Sequence, residues 1–218
     1  MNKKKSIILF LTILCLTKQI QAINWQVRNY HLISFNIRKD IKFNTEQTFR
    51  IKQNPSKPYY VDTTQSILFS YHKNCSVGLG MRNFFHIKPQ YPKKWLHVIE
   101  LLFLLNQKTK ILGTNVYTEF EASQRSLEKE GNWGCGAFRI KLDLLKFKNS
   151  TLYLMNKFFY NYHDTQRYDR NRFFLGTNIK LLSNSNIEPF LLLESNKNIT
   201  TLKWALTKII GLRITANI

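Results

Sequence analysis

Ile41-Lys42-Phe43-Asn44-Thr45-Glu46-Gln47-Thr48-Phe49-Arg50-Ile51-Lys52 alternates in character residue by residue. Its even positions are all polar, and its odd positions are apolar apart from Thr45 and Gln47. Successive side chains of an extended strand point to opposite faces, so the run has one apolar and one hydrophilic face. Its length is close to the roughly ten residues that a tilted strand needs to cross a bilayer.

Strand-like segments recur on both sides of this run. Eleven are legible, at 25–38, 41–52, 61–72, 75–87, 95–106, 109–123, 132–145, 150–162, 171–182, 187–196 and 204–217. Short connections fall at Lys39-Asp40, Lys73-Asn74, Gln107-Lys108, 146–149 and 183–186, and long ones at 53–60, 88–94, 124–131, 163–170 and 197–203. The two kinds alternate strictly, as do the short periplasmic turns and longer extracellular loops of outer-membrane barrels. Single-chain bacterial barrels close with an even number of strands. The expected fold is therefore all-β: a transmembrane, antiparallel, up-and-down barrel of ten or twelve strands. Either a further strand hides in the first segment or in 197–217, or one segment is not a strand. Segment 95–106 is the most ambiguous, because Leu101-Leu102-Phe103-Leu104-Leu105 is apolar on both faces.

Proline and aromatic placement agree with this map. Pro55, Pro58, Pro89 and Pro92 fall in long connections, where no ladder bond is lost. Pro189 falls inside a segment and predicts a bulge or an interruption there. Tyr59, Tyr60, Phe84, Phe85, Tyr91, Trp95, Trp133, Tyr160, Tyr162, Phe173, Phe174 and Trp204 gather where segments meet long connections. A girdle at a lipid–water interface needs that placement.

Residues 1–22 read as a secretory signal peptide, leaving 23–218 for the barrel. Lys3, Lys4 and Lys5 precede an apolar stretch from Ser6 to Thr17, and Ile20-Gln21-Ala22 ends on a small residue before the cut. That stretch is too short for a membrane helix, and no other segment approaches ~20 unbroken apolar residues. The formal net charge is +20; the leader holds Lys3, Lys4, Lys5 and Lys18 and no acid, which leaves +16 behind it. Export argues against nucleic acid as the partner. The expected partners are outer-membrane lipids and lipopolysaccharide, with small anionic solutes for any pore, and a monomer is expected. The mature cysteines, Cys75 and Cys135, fall at opposite rims of this topology and are expected to stay free thiols, since a bridge needs Cα atoms within roughly 7 Å.

Lys or Arg facing lipid at the midplane costs ~2–4 kcal/mol, so strand charges must turn inward to pair or to meet water. The expected lumen-lining set is Glu46, Arg50, Arg82, Glu119, Glu121, Lys157, Arg172 and Arg213. A salt-bridged plug and a selectivity-setting constriction both fit such a set. Catalytic signals are thin: His31, His72, His86, His97 and His163 have no metal-ligand spacing, and a Ser-His arrangement could draw on Ser70 or Ser76 near His72. Gly78-Leu79-Gly80 and Gly134-Cys135-Gly136 are no phosphate loops, because no helix follows either. No catalytic residue, metal site or cofactor is expected.

Several phrases taken together point to a family. They are the Trp25-led strand, Glu46-Gln47-Thr48-Phe49-Arg50, Val77-Gly78-Leu79-Gly80-Met81-Arg82, Met155 to Asn161, Tyr168 to Gly176, and the Trp204-led strand ending Gly211-Leu212-Arg213-Ile214. Asn171, Arg172 and Gly176 are the most telling. The chain resembles a family of exported bacterial proteins catalogued as a domain of unknown function and predicted to be outer-membrane β-barrels. Met81 stands where that pattern favours an aromatic residue, Lys157 where it favours an acid, and Ile218 where barrel-assembly signals end on an aromatic. The resemblance implies fold and location and brings no activity.

The expected protein is thus a narrow channel or a structural barrel of the bacterial outer membrane. The alternatives are an outer-membrane enzyme acting on lipid or lipopolysaccharide, and a soluble secreted β-barrel that binds a ligand. Mass spectrometry of the exported protein should find Ile23 at its N-terminus; a mature chain that retains residues 1–22 would refute the leader.

Overall fold

The computed structural model describes residues 25–52, 58–87, 95–127, 131–162, 167–197 and 203–218. The expected leader lies outside the described residues, as do most of the long connections with Pro55, Pro89, Pro92, Tyr91 and His163. Eleven strands follow in chain order: β1 (Trp25–Asn36), β2 (Ile41–Lys52), β3 (Pro58–His72), β4 (Cys75–Ile87), β5 (Trp95–Ile111), β6 (Thr114–Leu127), β7 (Gly131–Lys146), β8 (Ser150–Asn161), β9 (Arg167–Leu182), β10 (Ser185–Lys197) and β11 (Trp204–Asn217).

Each strand pairs antiparallel with its chain neighbours, and the sheet closes into a barrel where β1 runs parallel to β11. The seam runs in register from Trp25 opposite Lys208 to Ser34 opposite Asn217. Eleven strands therefore replace the ten or twelve expected. Up-and-down winding gives the first and last strands of an odd set the same direction, so closure must be parallel. A parallel ladder still pairs the backbone groups of both edges, though with slanted bonds and slightly less stability per residue.

The ambiguous segment at 95–106 is a full strand, and longer than expected. Gln107 and Lys108 do not turn; they continue the ladder, Gln107 lying opposite Cys75 on β4 and Thr118 on β6. The turn is Leu112-Gly113, with φ of 47° and 82°. Two successive positive φ values are those of a type I′ hairpin, whose twist matches that of its strands. Lys108 N–H donates to the carbonyl of Asn74 in the β3–β4 turn at 2.8 Å, so the β5–β6 tip stands beyond that neighbouring turn.

Two prolines also depart from expectation. Pro58 opens β3, a position that needs no ladder donor. Pro189 sits inside β10 opposite Leu212, and the bulge is not there but at Ser185/Asn186; the β9 ladder simply skips Glu188 and Pro189.

Alternation places two different surfaces on the two sides of the wall. Leu79, Leu101, Phe103, Leu175, Leu191 and Leu193 are exposed on the outside. Inside, the filling is uneven. Tyr30, Tyr153, Met155, Phe174, Phe190, Leu192 and Ile209 form an apolar cluster under β1 and β8–β11, whereas β2–β7 mostly present polar groups. Gly176 and Gly211 make the cluster possible: a Cβ at Gly176 would overlap Tyr153, and one at Gly211 would overlap the Phe190 ring.

The expected girdle is split in the same way. Phe85, Tyr160, Tyr162, Phe173 and Trp204 are exposed, but Phe84 and Phe174 are buried within the barrel and Tyr60 lines its interior. Adjacent aromatics such as Phe84-Phe85 must take opposite faces of a strand.

Gly211→Val should drive Phe190 from its seat and cost ~1–3 kcal/mol, the usual range for overpacking. In a denaturant series, the loss should shrink when Phe190→Leu accompanies it. Equal losses with and without that second change would refute the packing argument.

Candidate lumen site

All eight residues expected to line the lumen face it. Glu46 and Arg50 lie on β2, Arg82 on β4, Glu119 and Glu121 on β6, Lys157 on β8, Arg172 on β9 and Arg213 on β11, and all border one interior cavity of about 700 Å³. The cavity runs nearly the length of the barrel. It extends from His72, Lys73 and Asn74 at the short-turn end to Arg50, Tyr60, Arg125 and Arg170 near the opposite strand ends.

The charges form clusters that reach between strands. In the first, Arg82 bonds Glu100 at 2.9 Å and Glu121 at 3.2 Å, Arg125 bonds Glu100 at 3.0 Å, and Lys157 bonds Glu121 at 2.7 Å. β4, β5, β6 and β8 are thereby tied across the inside. Arg82 Nε–H also donates to Thr64 Oγ1 at 3.0 Å, adding β3.

The second cluster bridges the seam. Arg28 on β1 makes a forked pair with Glu194 on β10, at 3.1 and 3.0 Å, and Arg172 on β9 bonds the same carboxylate. Arg28 is only 1 % exposed. Its partner across the seam is Gly211, which puts no side chain in the way.

A looser third group has Arg213 at 3.9 Å from both Glu46 and Glu188, with Lys141 on β7 at 3.9 Å from Glu188. Arg139 pairs with Glu119 between β7 and β6.

Lys157 and Arg172, adjacent across β8 and β9, both carry positive charge and take acids from other strands. The acid expected at 157 is thus replaced by Glu194 on β10. Cations also lie over interior rings: Arg213 over Tyr30 at 4.9 Å and Lys141 over Tyr153 at 4.0 Å. Each such contact adds ~0.5–2 kcal/mol, more when desolvated.

Several interior charges escape sequence reading. Arg28 and Arg170 lie on inward positions whose alternation could have found them. Glu100 precedes the doubly apolar run at 101–105, where neither face stands out, and only the register beside Arg82 shows its side.

Among the described residues no hydrogen bond joins the serines considered for catalysis to a histidine, although Ser70, Ser76 and His72 line the same end of the cavity. Ser70 and Ser76 are cross-strand partners near His72 at the short-turn end. His72 Nδ1 accepts a bond from Asn74 N at 3.3 Å. His97 lies near the other end on the outside, stacked on Phe85 at 4.5 Å. Among the described residues no cluster of three His, Cys, Asp or Glu side chains could hold a metal. Cys75 and Cys135, at opposite ends of the barrel, are free thiols.

A family model matches residues 29–205, most of the chain, and its description reads "Protein of unknown function (DUF2490)". The chain belongs to that family. No curated protein matches it. Within this DUF2490 member, Glu194, Arg172 and the whole Arg82 cluster fall inside the matched residues. Arg28, Gly211 and Arg213, which complete the seam, fall outside them.

Glu194→Gln should be strongly destabilising, by about 3–5 kcal/mol, because it leaves Arg28 buried without a counter-charge. Adding Arg28→Met should recover much of that loss in denaturant unfolding followed by circular dichroism. A single-variant cost below ~1 kcal/mol would refute the burial argument.

Proposed function

We propose that this protein is an integral β-barrel of the bacterial outer membrane whose lumen is a narrow, anion-preferring channel with no catalytic chemistry of its own. The observation that carries this reading is the inverted distribution of polarity across the wall. Glu100, Glu121, Glu188, Glu194 and Arg28 are buried inside, while large aliphatic and aromatic side chains stand exposed outside. A soluble ligand-binding barrel would turn its apolar faces inward. Here the outer wall suits acyl chains and the inner wall suits water.

Dimensions support the same reading. The strands run from 12 to 17 residues, and at ~3.3 Å per residue with a tilt near 40° even the shortest spans about 30 Å. Lipid and lipopolysaccharide acyl chains would cover this wall. Its mid-strand polar residues, such as Thr45, Gln47, Thr63 and Gln65, are uncharged and therefore far cheaper there than Lys or Arg.

Eleven strands enclose more than the eight that side chains just fill, and fewer than the sixteen of an open porin. The apolar cluster fills one side, which leaves a polar passage along β2–β7. Basic groups outnumber acids along it, so a small anion meets a lower entry barrier than a cation. The ion-paired clusters narrow the passage and keep its walls stiff.

Membrane fractionation and planar-bilayer recording test the reading. The protein should resist carbonate and high salt and should conduct anions in preference to cations. Lys42→Glu, at the short-turn mouth, should shift selectivity toward cations. Release by salt alone would remove the membrane assignment; absent conductance or a cation preference would remove the channel.

A further inference from the structure

Among the described residues, two lumen arginines, Arg50 and Arg170, make no ion pair with an acid, although Asp62 attracts the first and Glu194 the second at longer range. Arg50 and Arg170 border the same cavity as Arg172 and Lys157. The Nε atoms of Arg50 and Arg170 are buried without a hydrogen-bond partner. Their contacts are aromatic: Arg50 lies 3.8 Å from the centroid of Tyr60, and Arg170 lies 5.0 Å from that of Phe159. Arg172 and Lys157 face the same Phe159 ring, at 4.8 and 5.2 Å.

Two of the nearby acids are engaged elsewhere. Glu194 serves Arg28 and Arg172, and Glu121 serves Lys157 and Arg82. Asp62, buried two residues beyond Tyr60 on β3, is close enough to attract Arg82 and Arg50 but forms no ion pair among the described residues, so it offsets only part of the positive charge. Arg28 is the cross-strand partner of Arg50, and Arg28 and Arg172 are both close enough to repel it. The outcome is a pocket of concentrated positive charge a few residues inside the long-loop end of the barrel.

The geometry points to a binding site here for a phosphate group, as inorganic phosphate or as a soluble phosphate monoester. Arg50 and Arg170 are its main donors, with Arg172 and Lys157 at its edge. A buried donor without a partner is costly, and an oxyanion drawn to these arginines would offer acceptor oxygens while reducing the repulsion among the cations. A guanidinium fork matches a pair of phosphate oxygens, whereas chloride, a single sphere, offers no such pair and gains less from the fork. The rings of Tyr60 and Phe159 attract the two cations without offering a carboxylate oxygen. The site rests on the channel reading only in needing a water-accessible lumen; binding does not require conduction.

Calorimetric titration of the full folded barrel in detergent micelles, at constant ionic strength with chloride as competitor, tests the site. Inorganic phosphate should bind saturably at one site and more tightly than chloride. Glycerol phosphate in its place distinguishes a carried phosphate group from the free ion. Arg50→Gln and Arg170→Gln should each weaken binding about tenfold or more, the usual consequence of losing a hydrogen bond to a charged group. Arg50→Lys, which keeps the charge and loses the fork, should weaken it as well and stands in if the glutamine variant fails to fold. Lys146→Gln, on the exposed rim, should change nothing. Non-saturable binding, or equal losses at Arg50 and Lys146, would show a diffuse field and overturn the site. Phosphate binding without conductance would keep the site and discard the channel; conductance without phosphate binding would do the reverse.

Discussion

Closure of an odd-numbered sheet depends on the parallel seam between β1 and β11. Every other pair of neighbouring strands is joined by a connection in the chain, whereas β1 and β11 meet from opposite ends of it. Their contact carries the full loop-closure entropy of the barrel and has the weaker ladder geometry. The inner wall compensates. Arg28 reaches over β11 to Glu194 on β10, and Tyr30 meets Phe190 with ring centroids 5.7 Å apart. Gly211 makes the aromatic contact possible, because the Phe190 ring occupies the place a Cβ on β11 would take.

That arrangement divides the interior. The aromatic and aliphatic cluster packs under β8–β11 and β1, where it consolidates the seam, so most of the residues bordering the open volume come from β2–β7. Position of the cavity is therefore a by-product of how the barrel closes. Charges bordering the cavity do two jobs. Paired groups such as Arg82, Glu100 and Glu121 link non-adjacent strands, and buried pairs of this kind contribute more to a defined geometry than to net stability. Arg50 and Arg170, in no ion pair among the described residues, add to the positive sign of the potential.

Much of the fold was legible in sequence because a barrel wall has period two. Nine of the strands begin and end within about four residues of the alternating segments, and the inward charges at 46, 50, 82, 119, 121, 157, 172 and 213 follow from parity alone. The failures also have physical causes. Gln107-Lys108 looks like a turn because both residues are polar, yet a hairpin that protrudes past the rim has water on both faces. Leu112 gives no turn signal of its own, and only Gly113 hints at the positive φ there. Glu100 stands beside a run that is apolar on both faces, exposed at Leu101, Phe103 and Leu105 and buried at Leu102, so alternation does not show its side.

Alternation along each segment determined, without any coordinates, that this protein is a sheet with one apolar and one charged face. The rhythm of short and long connections determined that its strands wind up and down. Those are local properties, carried by neighbouring residues. Tertiary structure alone decided the strand number, the parallel closure, which acid meets which base, and which arginines are left without one. Each of these depends on register between strands far apart in the chain, where a shift of one residue would turn every side chain to the other face.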